Sequence, residues 1–170
     1  PGLKEALTEF PELFLILAPH EPIEKHLKNA ETFFAGIPML RCSRISEASE
    51  EVRILLIDSV GILAGLYHSA KMTYVGGAFT TGVHNILEPA AMGAAVAFGP
   101  KHSNSTEALQ MIEQKFAFCV NSSAEFRKLL FDLLADQERC LEFGKQAQEF
   151  VESQAGATDL CVPLLMAELS

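Results

Sequence analysis

Nowhere does this chain hold the roughly 18 to 20 consecutive apolar residues that a membrane span requires, and no basic start followed by an apolar signal core opens it. A soluble piece is expected. Basic residues are scarce too: 13 Lys and Arg face 22 Asp and Glu, a net charge of −9. That disfavours a nucleic-acid surface, which needs clustered cations to neutralise phosphates, and means that any anionic ligand must be held by a local positive field. The four cysteines, Cys42, Cys119, Cys140 and Cys161, form no CxxC pair, and the five histidines no HExxH arrangement. No metal is expected, and the thiols read as reduced, mostly buried groups of a cytosolic protein. Also missing are repeats, a low-complexity linker, an acidic phosphoacceptor cluster and a flavin-phosphate loop. The last two absences exclude response-regulator-like and flavodoxin-like interaction domains. Pro1-Gly2 has no initiator Met, which favours a cut or processed piece.

What is present suits one globular domain over 1–170, because 170 residues with 49% apolar content suffice for a sizeable core. Short apolar runs alternate with helical patterns, the signature of a parallel sheet with crossover helices, which are almost always right-handed. Strands are predicted at 14–18, 39–41, 52–57, 72–75, 95–98 and 116–120. Helices are predicted at 22–34, where Ile23, Leu27, Ala30 and Phe34 recur at helical spacing, and at 61–70, 85–92, 104–115 and 123–134. Terminal helices are expected over about 137–170, as 137–154 and 157–169.

The most informative stretch is Tyr74 to Pro100, YVGGAFTTGVHNILEPAAMGAAVAFGP. Tyr74 and Val75 end a strand, and Gly76-Gly77 follow, where the lack of a Cβ lets backbone approach a ligand and reach positive φ. Asn85 is a suitable N-cap with Glu88 three residues on, a capping box with Asn in place of Ser or Thr. Pro89 then falls in the first helical turn, which tolerates it. Exposed N–H groups and the positive end of a helix suit a phosphate, while an ionised carboxylate at Glu88 suits a diol. Spacing alone leaves a second reading equally open, in which Asn85 and Glu88 merely cap their own helix. His84 is either a ligand contact or a buried imidazole bonded to backbone. Asp58 and Ser59 read as caps for the following helix, and Gly61 admits backbone near a base. His20, Arg41, Arg44, Lys101 and His102 are candidates for the local positive field, with Arg41 and Lys101 closer to ordinary solvated charge.

Four pieces together, LILAP at Leu15 to Pro19, RCS at Arg41 to Ser43, DSVG at Asp58 to Gly61 and the VGG…HNxLEPAAxG…GP run, resemble the C-terminal half of the 3-deoxy-D-manno-octulosonic acid (Kdo) transferases. The resemblance spans nearly the whole chain and departs from the family's pattern twice. His20 stands where the family usually has Arg, and the family's Gly-Gly-His turn reads Gly82-Val83-His84.

The resemblance implies a Rossmann-like parallel sheet flanked by helices, one half of a two-domain GT-B glycosyltransferase. It further implies transfer of Kdo from CMP-Kdo to a lipid A precursor in lipopolysaccharide biosynthesis, at the cytoplasmic face of the inner membrane, with no metal on the nucleotide. This half would hold the donor: Glu88 on the ribose hydroxyls, Asn85 and the helix start on the phosphate, Gly76 and Gly77 through backbone N–H groups, with His84, Gly61 and His20 nearby. Pro19-His20, Asp58 to Gly61, Gly76-Gly77 and Phe98-Gly99 would share the rim at the strands' carboxyl ends, where open parallel sheets bind ligands. General base and acceptor recognition would belong to the N-terminal domain, leaving this piece inactive by itself. Another GT-B enzyme using a UDP-sugar, or a freestanding nucleotide-sugar-binding subunit, are the alternatives.

Overall fold

The computed structural model describes residues 2–79 and 82–154; the helix expected at 157–169, and Cys161, lie outside the described residues. Helices α1 (Gly2–Glu9), α2 (Glu24–Phe33), α3 (Leu63–Leu66), α4 (Leu87–Ala91), α5 (Thr106–Glu113), α6 (Ser123–Ala135) and α7 (Gln137–Gln154) are interleaved with six strands. These are β1 (Leu15–Leu17), β2 (Met39–Arg41), β3 (Ile54–Leu56), β4 (Met72–Val75), β5 (Ala95–Phe98) and β6 (Ala117–Cys119). All six expected strands form, in two three-stranded parallel ladders ordered β1-β3-β2 and β4-β5-β6. The described residues divide accordingly into two compact units, 2–67 with 120–137, and 68–79 and 82–119 with 138–154.

In the first unit β3 is the central strand, with Ile54 aligned to both Leu15 and Met39. Its three residues are buried, as expected for a near-continuous apolar run covered on both faces. Leu7, Phe34 and Ile54 form the core there, with Leu3, Leu13, Leu15, Leu17, Ile37 and Met39 packed around them. Helix α1 was not anticipated from the sequence. Its end is tied down by Arg53, whose guanidinium donates to the carbonyls of Leu7, Phe10 and Leu13 at 2.8 to 3.1 Å, so a cation satisfies carbonyls that a helix end leaves unpaired. Phe10 meets Phe131 of α6 edge-on at 5.5 Å between centroids, and Arg127 both pairs with Glu5 and lies over the Phe131 ring. Helix α6 opens on a variant of the capping box: Ser122 Oγ accepts from the Glu125 N–H at 3.2 Å, and Glu125 reaches back past the cap to accept from the Asn121 N–H at 2.9 Å.

In the second unit the central strand is β5, buried along its whole length. Met72 to Val75 align with Ala95 to Phe98, and Val96 to Phe98 with Ala117 to Cys119. Phe98, placed by the sequence at a ligand rim, is fully buried and packs with Val75, Ile86, Met111, Phe116 and Phe150. Burying so large an apolar side chain outweighs its position at a strand end. Helix α7 crosses the turn after α4 at very short range, since a Cβ on Gly144 would lie 1.9 Å from the Gly93 carbonyl oxygen. Cys140 of the same helix is a buried free thiol whose pKa is raised by desolvation.

Four helices are shorter than predicted, α2 and α5 by one or two residues at each end. The segment 61–70 forms only the single turn of α3 followed by a 3-10 turn at Tyr67–Ser69, because Gly61 takes a φ of +87° that no right-handed helix accommodates. Helix α4 spans Leu87–Ala91 instead of 85–92, with Asn85 standing outside as its cap.

Candidate functional site

Five of the predicted site residues fall in the second unit, four on the loop between β4 and α4 and Glu88 in the first turn of α4. The strand delivers Val75 into the core and then turns at Gly76 and Gly77. Gly77 has a φ of +87°, and a Cβ there would sit 2.4 Å from the Gly82 carbonyl oxygen and 2.6 Å from Nε2 of His84. Glycine is therefore required at this position twice over, by conformation and by space. The loop folds back on itself: the Gly82 N–H donates to the Gly77 carbonyl at 3.3 Å and the His84 N–H to that of Gly76 at 3.4 Å. His84 is exposed with its imidazole lying against Gly77, which answers the alternative of a buried ring.

Asn85 and Glu88 are both exposed and bonded to each other. Asn85 Oδ1 accepts from the Leu87 N–H at 3.0 Å and from the Glu88 N–H at 3.4 Å, while its Nδ2 donates to Glu88 Oε1 at 2.8 Å. The capping arrangement read from spacing is thus present, with one change. Glu88 reaches the side-chain amide of the cap and not its backbone N–H, so the carboxylate is held at the surface in a fixed orientation. A carboxylate has about four lone-pair directions, and the Asn85 amide takes one of them.

A second layer supports this loop from the segment after β5, through contacts that no local pattern in the sequence marks. The Lys101 N–H donates to the Ala78 carbonyl at 2.8 Å, the Val83 N–H to the Lys101 carbonyl at 2.9 Å, and Asn104 Nδ2 to the Val83 carbonyl at 3.2 Å. Gly99 also lacks room for a side chain, because a Cβ there would meet the Phe79 ring at 2.8 Å. His102 Nδ1 lies 3.2 Å from the Gly99 carbonyl. Asn104 opens the helix predicted at 104–115, but α5 starts two residues later and its cap is Ser105, which accepts from the Ala108 N–H at 3.1 Å.

The remaining two predicted residues, His20 and Gly61, belong to the first unit and are exposed just beyond β1 and β3. A Cβ on Gly61 would have no atom within 4 Å, so only its φ of +87° demands glycine. Arg41 is committed to carboxylates: Nε donates to Glu31 at 2.7 Å, and Nη1 and Nη2 grip both oxygens of Glu24 at 2.9 and 3.0 Å. This fork depresses the Glu24 pKa and raises that of the guanidinium. Arg44 pairs with Glu47. Asp58 does not cap the helix that follows it. Its carboxylate accepts from the Ser43 hydroxyl and, at 2.9 Å, from the Ser43 N–H, closing the start of the 3-10 turn Cys42–Glu47. The Ser43 bonds hold the Asp58 carboxyl below the usual aspartate range. A backbone N–H across the ladder offered a better partner than the turn at Ser59 to Gly61, and α3 begins after Ile62 with no side-chain cap.

Among the described residues, no group of three His, Cys, Asp or Glu is placed to hold a metal ion, and no helix is long and apolar enough to cross a membrane.

No protein-family model matches the chain. Curated relatives are 3-deoxy-D-manno-octulosonic acid transferases: that of Aquifex aeolicus (strain VF5) is 31% identical over 136 residues, 79% of this chain and 37% of that protein. That of Haemophilus influenzae is 29% identical over 166 residues, 94% of this chain and 38% of that protein. The chain therefore spans well under half the length of these relatives. Among solved structures, the C-terminal CMP-Kdo binding domain of WaaA from Acinetobacter baumannii superposes with a TM-score of 0.76 at 22% identity, over 87% of this chain and 78% of that one. The resemblance drawn from the four motifs thus holds: the chain is similar in sequence to the Kdo transferases and shares the fold of their C-terminal domain, parallel sheets flanked by helices.

Proposed function

We propose that this chain is the donor-binding part of a glycosyltransferase that moves Kdo from CMP-Kdo to a lipid A precursor in lipopolysaccharide biosynthesis, at the cytoplasmic face of the inner membrane. The observation that carries the reading is the exposed Glu88 carboxylate, oriented by the Asn85 amide beside the Gly76-Gly77 turn, in a chain similar to Kdo transferases over most of its length. Glu88 accepts hydrogen bonds from the ribose diol, which a neutral side chain does less well, because bonds to an ionised partner contribute about 1.5 to 3 kcal/mol each.

The phosphate falls to the glycine turn and His84. Helix α4 has only five residues, and Asn85 Oδ1 already takes its Leu87 N–H, so the helix start contributes little field. Asn85 is the residue that orients the carboxylate. Donors fixed in place by the surrounding loop need no rearrangement as negative charge develops on the departing nucleotide, which is the electrostatic part of catalysis. Acceptor and general base are assigned to the remainder of such a transferase.

Titration calorimetry with CMP and with UDP tests this. Saturable binding of CMP with weaker or absent binding of UDP is the expected result. A preference for UDP moves the chain to a UDP-sugar enzyme of the same architecture, and binding of neither removes the nucleotide site.

A further inference from the structure

We infer that Asn104 is a positioning residue for the nucleotide loop, acting through Val83 on His84 and the glycine turn; this rests on the donor-binding reading above. Val83 is 6% exposed and both polar groups of its backbone are fixed from one neighbouring segment: its N–H donates to the Lys101 carbonyl at 2.9 Å and its carbonyl accepts from Asn104 Nδ2 at 3.2 Å. Fixing both fixes the peptide that leads into His84, whose own N–H reaches Gly76 at 3.4 Å. The same Asn104 side chain fills the space above Gly82, where a Cβ would lie 2.9 Å from Oδ1. Gly82 has a φ of +124° and donates back to Gly77. One amide side chain thus sets the two peptides that return the loop to Gly76 and Gly77, while lying outside the Asn85 and Glu88 pair.

The consequence separates the two halves of a nucleotide. Losing Asn104 loosens the turn proposed for the phosphate and leaves Glu88, which has its own support from Asn85, in place for the ribose. The test is an amide-resolved NMR titration of the 15N-labelled chain and its Asn104→Ala variant with CMP and with cytidine, beside thermal melts of both proteins. The expected result is CMP binding weakened about tenfold, the effect of one lost hydrogen bond of ordinary strength, with cytidine binding unchanged and the His84 and Gly77 amide peaks displaced before any ligand is added. If Asn104→Ala does not fold, Asn104→Leu keeps comparable bulk against Gly82 and removes the donor without adding charge, and the same CMP-selective loss is expected. Equal CMP affinity in variant and wild type, or CMP and cytidine weakened alike, overturns the inference. A wild-type chain whose peaks do not move with CMP instead overturns the donor reading on which it stands.

Discussion

Glu88 shows how one side chain acquires two duties from its neighbours. The Asn85 amide holds one oxygen, which restrains the rotamer and leaves the carboxylate's remaining acceptor directions for a ligand. Gly77 is the other residue without substitutes. Gly77→Ala puts a methyl group on the Gly82 carbonyl at a positive φ, and a loss of about 1 to 3 kcal/mol in chemical denaturation is expected, together with loss of CMP binding. Asp58 carries a pH signature. Its folded pKa lies below the ordinary aspartate value of about 4 because of the Ser43 bonds, so its stabilisation is complete above that value and is lost as pH falls through the folded pKa. Melting curves of wild type and Asp58→Asn should therefore differ most near neutrality and converge in acid; a gap that persists at low pH would assign the difference to something other than this carboxylate.

At the scale of elements, Gly144 decides a sign. Glycine within a helix is normally worth replacing, since alanine gains roughly 0.5 to 1 kcal/mol there. Gly65 in α3, with nothing within 4 Å of a Cβ, should follow that rule. Gly144→Ala should do the opposite, because the added carbon meets the Gly93 carbonyl and pushes α7 off the turn it crosses; overpacking of this kind costs about 1 to 3 kcal/mol. Equal effects of the two substitutions in denaturant melts would refute the backbone contact. Helix α1 depends on Arg53 in the same way, and Arg53→Met should fray it, seen as a loss of helical circular dichroism before global unfolding.

These elements also mark what the sequence could and could not reveal. Strands β2, β4 and β5 and helix α7 have the bounds that the apolar runs and helical patterns predict, because the pattern that marks each of them is contained within its own segment. Asn85 and Glu88 were legible for the same kind of reason, their interaction being local at three residues' separation. Helix α1 was not, since its closing cation, Arg53, lies 40 to 46 residues from the carbonyls it binds. Asn104 was hidden likewise, 21 residues from Val83. Asp58 was misread because its partner, Ser43, lies on the far side of the intervening strand β3 in sequence. Local spacing carries caps and strands; it does not carry side chains that staple one loop to another.

For the molecule as a whole, a net charge of −9 requires that an anionic nucleotide be held by placed donors and not by an attractive general field. Raising the salt concentration should therefore change CMP affinity little, in contrast to the steep fall typical of proteins that bind nucleic acids through clustered cations. The chain spans 37% to 38% of the length of its curated relatives, and in the proposed reading it binds donor without completing a reaction, so mixing it with CMP-Kdo and a lipid A precursor should yield no transferred sugar. The most direct test of the central claim is calorimetric titration of CMP into the wild-type chain and into Glu88→Gln, which keeps the acceptor for Asn85 and removes only the charge. The account predicts saturable wild-type binding that weakens at least about tenfold in the variant at unchanged melting temperature; the same affinity in both proteins would contradict it.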